Sequence, residues 1–398
     1  AKLIAKTGVN VQKGQEVFIQ AELDQPEFVA MVVDECYKLK AKKVVVDWSY
    51  QPLTKLHVRY RSLKTLSTLD NYEEARWQHY VDTIPCRIYL ISEDPDGLRG
   101  VNQEKMAKSQ QAKYPIIKGY RDQIENKYQW CIAAVPGEKW AKKLFPELRA
   151  SQAVEKLWEA ILKTSRVTDD PIQAWEEHNK DLHDRCEYLN SLHIRELRYK
   201  SSNGTDFTVG MIPEAQFCGG GETSLQGIFF NPNIPTEECF ISPMRGVAEG
   251  IVYATKPLSY QGQLIDGFWI RFHEGKAVEW HAEKNNDLLT KLITMDEGSA
   301  YLGECALVPY DSPICQSGLL FYNTLFDENA ACHLALGMGF ADTIRGFEHK
   351  TLEECRALGV NDSMVHEDFM IGSADMSIDA VCEDGKTVPI FRNGSWAF

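Results

Sequence analysis

Glu16-Val-Phe-Ile-Gln-Ala-Glu-Leu-Asp-Gln-Pro26, the apolar stripe that follows it to Lys40, and Lys43-Val-Val-Val-Asp-Trp48 decide the fold of the N-terminal half. The first and last pieces are short β-prone runs. Between them Phe28, Val29, Val32, Val33 and Cys36 recur at helical spacing, and Pro26 stands at an early helical position where its missing N–H costs nothing. A strand, a helix and a second buried strand make a crossover unit, which calls for parallel strands. The pattern then repeats. A helix is expected from Asn71 to Tyr80, a strand at Arg87-Ile-Tyr-Leu-Ile-Ser92, and a helix or helix pair from Asn102 to Lys127 broken at Pro115. A fourth strand is expected at Gln129-Trp-Cys-Ile-Ala-Ala-Val-Pro136. The prediction is a doubly wound, mostly parallel α/β sheet with helices on both faces.

Such sheets often hold nucleotides, but the turn after the first strand is Ala-Glu-Leu-Asp-Gln-Pro, without the glycine fingerprint. Gly219-Gly220-Gly221 reads as a loop or turn. Ser151 to Thr164 predicts an amphipathic helix capped by Ser151. A further helix from Asp170 to about Leu189 leads into a change of texture. From His193 onward, strand alternation and turns dominate, as in Glu196-Leu-Arg-Tyr-Lys200, Asp206-Phe-Thr-Val-Gly-Met211, Gln226-Gly-Ile-Phe-Phe-Asn231 and Leu264 to Phe272. The expected architecture is therefore two domains: residues 1–185, doubly wound α/β, and residues 186–398, α+β with a mostly antiparallel sheet.

The chain has 398 residues, 44% of them hydrophobic and 25% charged, with net charge −14. That is ordinary globular composition, and its acidity disfavours nucleic acid or an anionic membrane as partner. No run approaches the ~18 apolar residues of a membrane span, and no signal peptide is visible. The eleven cysteines include no Cys-x-x-Cys and several lie in apolar runs. They read as reduced, buried thiols of a cytoplasmic protein.

The chemistry collects in the second half. In Val365-His366-Glu367-Asp368-Phe369 an imidazole and a carboxylate stand two apart on a β-prone run, hence on one face, and could chelate a divalent cation. Glu367 between them reads as a solvent-facing strand residue. His333 begins a small-residue segment that could bring it opposite. Asp327 and Glu328 either orient His333 or cap the next helix. Glu304, in Tyr-Leu-Gly-Glu304-Cys-Ala-Leu-Val-Pro, is costly to bury unless paired, protonated or metal-bound; a solvent-facing position would remove that cost. Glu238 ends a proline-punctuated loop. Together the five suit two divalent ions, and three carboxylates plus a hydroxide would nearly balance two dications. Neither a His-Glu-x-x-His helix nor a Gly-x-Ser-x-Gly elbow is present.

Several longer segments carry a resemblance. Asn233-Ile-Pro-Thr-Glu-Glu238, Tyr301-Leu-Gly-Glu304, Asp311 through His333, Asn361 through Gly372, Asp384-Gly-Lys-Thr-Val-Pro-Ile-Phe-Arg-Asn-Gly-Ser-Trp396 and Trp140-Ala-Lys-Lys-Leu-Phe-Pro146 resemble, in order, the M29 metalloaminopeptidases. The resemblance implies a homodimer that binds two divalent metal ions (zinc, cobalt or magnesium) through Glu238, Glu304, His333, His366 and Asp368. It implies removal of the N-terminal residue from peptides with a free N-terminus. Hydrolysis would proceed by a metal-bound water, with Glu304 as bridging ligand or proton acceptor. One position departs from the pattern: the family's catalytic tyrosine falls at Phe340, which has no hydroxyl. Tyr301, Tyr310 or Tyr322 could replace it. The alternatives are a catalytically weakened metal- and peptide-binding relative, or a metal-dependent amidohydrolase on a non-peptide substrate.

Overall fold

The computed structural model describes residues 1–398 and divides the chain into two compact units. The first comprises Ala1–Glu176 with Gly221–Pro235; the second comprises Glu177–Gly220 with Thr236–Phe398. A single cut at 185/186 therefore does not describe the chain. The helix Pro171–Ser191 passes from one unit to the other at Glu177, and the segment after the triple glycine returns to the first.

In the first unit five parallel strands lie in the order Asn233–Ile234, Trp130–Ala134, Cys86–Ile91, Glu16–Glu22, Lys43–Ser49. Alternation splits each strand between two apolar layers. Val17, Ile19, Cys86, Ile88 and Leu90 pack with Val29, Val32 and Cys36 of the helix Pro26–Lys38. Phe18 points the other way, toward Tyr80 of the helix Asn71–Thr83 and Ile124 of the helix Gln103–Ile124. Both faces are covered, as a doubly wound sheet requires.

The expected break at Pro115 does not occur: Gln103–Ile124 is one helix with the proline inside it. Only one N–H is missing there, and the remaining turns keep their bonds. Ser151 is not the cap of the next helix, which starts one residue earlier at Ala150 with Arg149 in the cap position. The polar stretch after Trp48 holds a helix, Gln51–Tyr60, that was not expected; its Leu53, Leu56 and Tyr60 recur at helical spacing but are exposed. Of the expected strand at 226–231 only Phe229–Phe230 forms, in a two-stranded ribbon with Glu222–Thr223.

The second unit contains two antiparallel sheets. The larger includes Ile194–Lys200, Asp206–Met211, Pro243–Tyr253, Gln263–His273, Lys276–Lys284, Ser377–Cys382 and Thr387–Arg392. The smaller has the order His366–Met370, His333–Gly337, Leu302–Leu307, Cys239–Ile241, Cys218–Gly219. Leu197, Phe207, Phe268, Phe272, Leu334 and Phe369 belong to one continuous apolar core. No helix is long and apolar enough to cross a membrane, and all eleven cysteines are free thiols.

Candidate metal centre

The smaller sheet explains why residues far apart in sequence converge. One of its inner strands, His333–Gly337, is wholly buried. Ala335 faces Glu304 on one neighbouring strand and Asp368 on the other. His333 and Gly337 share the face of Ala335, as His366 shares that of Asp368, because side chains repeat every two residues. Glu238 precedes the strand Cys239–Ile241 at the same parity as Phe240, which pairs with Ala306. One face of one sheet thus presents all five predicted donors. At its middle stands the methyl group of Ala335, which leaves the space between them open.

Two glycines set the alignment. The register slips between Leu302 and Glu304, and a Cβ on Gly303 would lie 2.1 Å from the Met338 carbonyl oxygen. This bulge re-aims Glu304 onto the shared face. Gly337 has φ of 103°, and a Cβ there would meet the Val365 carbonyl oxygen at 2.0 Å. It lets the strand carrying His366 approach closely.

The donors form two triads that share Glu304: Glu238, Glu304 and His333, and Glu304, His366 and Asp368, with ligand atoms in each within 4.8 Å of one another. His333 Nε2 lies 3.3 Å from Glu238 and 3.8 Å from Asp368. His366 Nε2 lies 3.1 Å from Glu304 and 3.4 Å from Asp368. The other nitrogen of each ring faces a backbone carbonyl: His333 Nδ1 that of Ala331 at 3.3 Å, His366 Nδ1 that of Met338 at 2.7 Å. Donation of Nδ1–H to those carbonyls leaves Nε2 free to ligate, the arrangement usual in metal sites.

The electrostatics are those of a site short of positive charge. Burial pushes the Glu304 carboxyl up to about 7, helped by the charges of Glu238 and Asp368 and opposed by His366. For His333 burial acts downward, but Glu238, Asp368 and Glu304 outweigh it and raise the ring to about 9. His366 is raised for the same reason, against its burial. Asp368 is held below its ordinary value despite burial, chiefly by His366. Its Oδ1 is nonetheless buried with no hydrogen bond, an atom waiting for a partner. Three buried carboxylates, two imidazoles presenting Nε2 and an orphaned carboxylate oxygen fit divalent cations well.

Glu328 joins them. It is buried, hydrogen-bonds to Asp368, and is raised by burial and then by the charges of Asp368, Glu238 and Glu304. The sequence offered orientation or capping for this residue; its approach depends on a short 3-10 turn, Glu328–Ala330, that no periodicity marks. Asn329 on that turn accepts from Glu237 N–H at 2.7 Å and donates to Glu328 at 3.4 Å. It pins the loop carrying Glu238. From the other side His178 meets the Thr236 carbonyl at 2.7 Å.

Asp327 turns away to accept from the amides of Phe321 and Asn323 at 2.8 and 3.0 Å. Glu367 is not solvent-facing: it is half-buried on the opposite side of its strand, and burial pushes it up to about 8. Phe340 packs on the His366 ring, 4.8 Å between centroids, and on Phe240. Of the tyrosines considered as replacement donors, Tyr301 lies under the Arg245 guanidinium, 4.6 Å from the ring centre, and Tyr310 is surface-exposed. Tyr322 occupies a turn at φ of 56° beside the amides that Asp327 holds.

The model of one protein family, the thermophilic metalloproteases (M29), matches residues 1–396. The chain belongs to the M29 family. It is accordingly a hydrolase of peptide bonds in a metalloprotease family. Its M29 relatives include aminopeptidase AmpS of Bacillus subtilis (strain 168), 41% identical over 400 residues that cover 100% of this chain and 97% of the relative. Aminopeptidase T of Thermus thermophilus is 37% identical over 401 residues, covering 100% and 97%. The solved structure of wild-type AmpT from Thermus thermophilus superposes with a TM-score of 0.89 at 36% identity, covering 100% of this chain and 98% of that one.

Two outcomes follow from the geometry. Ala335→Leu fills the space between the donors: bound metal, read by elemental analysis, should fall at least tenfold while far-UV circular dichroism is kept. The second concerns pH. In chelated protein Glu304 and His333 are both raised, so the folded chain holds protons that the unfolded chain releases. The stability from Glu304 is complete below its ordinary 4.5 and lost as pH rises through about 7. That from His333 is complete below 6.5 and lost through about 9. Asp368, lowered, acts oppositely and only below about pH 4. The melting temperature gained on adding a divalent ion should therefore grow from pH 5 to pH 9, by about 2–4 °C per kcal/mol. A gain that shrinks over this range would contradict the assignment.

Proposed function

We propose that the chain is an aminopeptidase that removes the N-terminal residue of unblocked peptides at a pair of divalent ions, zinc, cobalt or magnesium. The observation that carries the reading is the two triads meeting at Glu304. Glu238 and His333 would hold one ion, His366 and Asp368 the other, and Glu304 would bridge them. Bound ions supply Lewis acidity, which lowers the pKa of water and polarises the scissile carbonyl. Glu328, outside both triads, is placed to take up and return the proton, its Oε1 steadied by the Asn329 amide. The peptide's free amine is the group that selects for chain ends. Phe340 and Phe240 form an apolar wall beside His366, against which a substrate side chain can rest. The aminopeptidases named among the relatives support this reading over a non-peptide amide. Free thiols throughout suit a cytoplasmic location, and a homodimer follows from the family likeness.

Chelator should abolish hydrolysis of aminoacyl-anilides, and cobalt or zinc should restore it. N-acetylated peptides should be cleaved at least 10²-fold more slowly than unblocked ones, the effect of losing one oriented contact in a dry site. Equal cleavage of both would remove the aminopeptidase assignment. Phe340→Tyr places a hydroxyl beside His366, and kcat should rise about tenfold or more with KM little changed. An unchanged kcat would put the oxyanion donor elsewhere.

A further inference from the structure

Away from the metal centre the second unit contains a pocket of about 100 Å³, room for a small ion or headgroup. Phe217, Ala215 and Ile241 form its apolar floor; Arg195, Arg345 and His193 stand at its rim. The rim has one carboxylate, Glu383, which is already paired with Arg195. Arg345 is exposed, and its guanidinium makes no ion pair. His193 follows the helix Pro171–Ser191 at φ of 49°, a conformation in which glycine is the usual residue.

One unpaired guanidinium, a second held by Glu383, and an imidazole beside a small cavity are the kinds of donor an oxyanion calls for. We propose that this pocket binds a small oxyanion, the phosphate or carboxylate group of a metabolite, and that its occupancy is felt at the metal centre. The connection is short. Arg345 ends the segment that begins at Phe340, and the single 3-10 turn Ala341–Thr343 lies between them. That segment is fastened at both ends. Phe340 N–H donates to Ser242 Oγ at 2.8 Å, and Thr343 O accepts from Gln216 N–H at 2.7 Å. Ile344 bridges to Ala215 on the pocket floor. An anion clamped by Arg345 therefore restrains the segment whose other end packs on His366. The binding part stands alone; the coupling part rests on the reading of the metal centre given above.

The test uses the metal-loaded enzyme. Crystals soaked in selenate should show an anomalous peak between Arg345, Arg195 and His193. Calorimetric titration with inorganic phosphate, and separately with acetate, separates the two sources; the cognate group should bind with Kd on the order of 1 mM. Arg345→Ala should weaken it at least tenfold, and Arg345→Lys less, with metal content unchanged. Anion captured by the metals themselves would be indifferent to Arg345, so equal binding by wild type and Arg345→Ala overturns the site, as does absence of binding by both probes. Saturating anion should change kcat or KM at least twofold in wild type and not in Arg345→Ala. Binding without that change overturns the coupling. Loss of peptidase activity in the absence of added anion would bear on the metal centre, not on this pocket.

Discussion

Burying carboxylates is the constraint on which the second unit depends. Glu238, Glu304, Glu328 and Asp368 are all withdrawn from water within one cluster, with two imidazoles as the only counter-charges at hand. An isolated buried carboxylate costs several kcal/mol even after relaxation. A fold tolerates such a concentration only if something positive belongs there. Protons answer the demand in part, which is why the Glu304 carboxyl and both imidazoles hold theirs so strongly. Divalent cations answer it fully. The bulge at Gly303, the close strand approach at Gly337 and the small side chain of Ala335 prepare the sheet for ions where a core would ordinarily be filled.

Much of this was legible in the chain. The strand–helix alternation of the first 136 residues describes a real parallel sheet, because its apolar pattern switches cleanly between periods of two and 3.6. His366 and Asp368 announced a shared face by spacing alone. Glu304 and Glu238 did not: the face on which Glu304 lies is set by a bulge, and Glu238 is brought in by backbone bonds from His178 and Asn329. Local pattern contains neither kind of information; residue chemistry grouped the five, and the longer family likeness strengthened the grouping. Glu328 stayed ambiguous since its place depends on one 3-10 turn. The helix Gln51–Tyr60 went unread although Leu53, Leu56 and Tyr60 recur at helical spacing, because they are few and lie in a polar stretch.

In the first unit the strand ends are joined by the protein's own side chains. In doubly wound folds the carboxyl ends of the strands usually open onto a ligand crevice. Here Gln51 bonds to both the amide and the carbonyl of Asp94, and Ser92 donates to Asp24, so polar side chains of the protein tie these strand ends together.

The ring nitrogens that face away from the donors meet main-chain oxygens, those of Ala331 and Met338. Both imidazoles are thus aimed by peptide groups, which every sequence possesses. Side chains around the centre can drift over generations without turning either ring. A scaffold steered in this way can exchange Phe240 and Phe340 for other neighbours while both rings keep their posture.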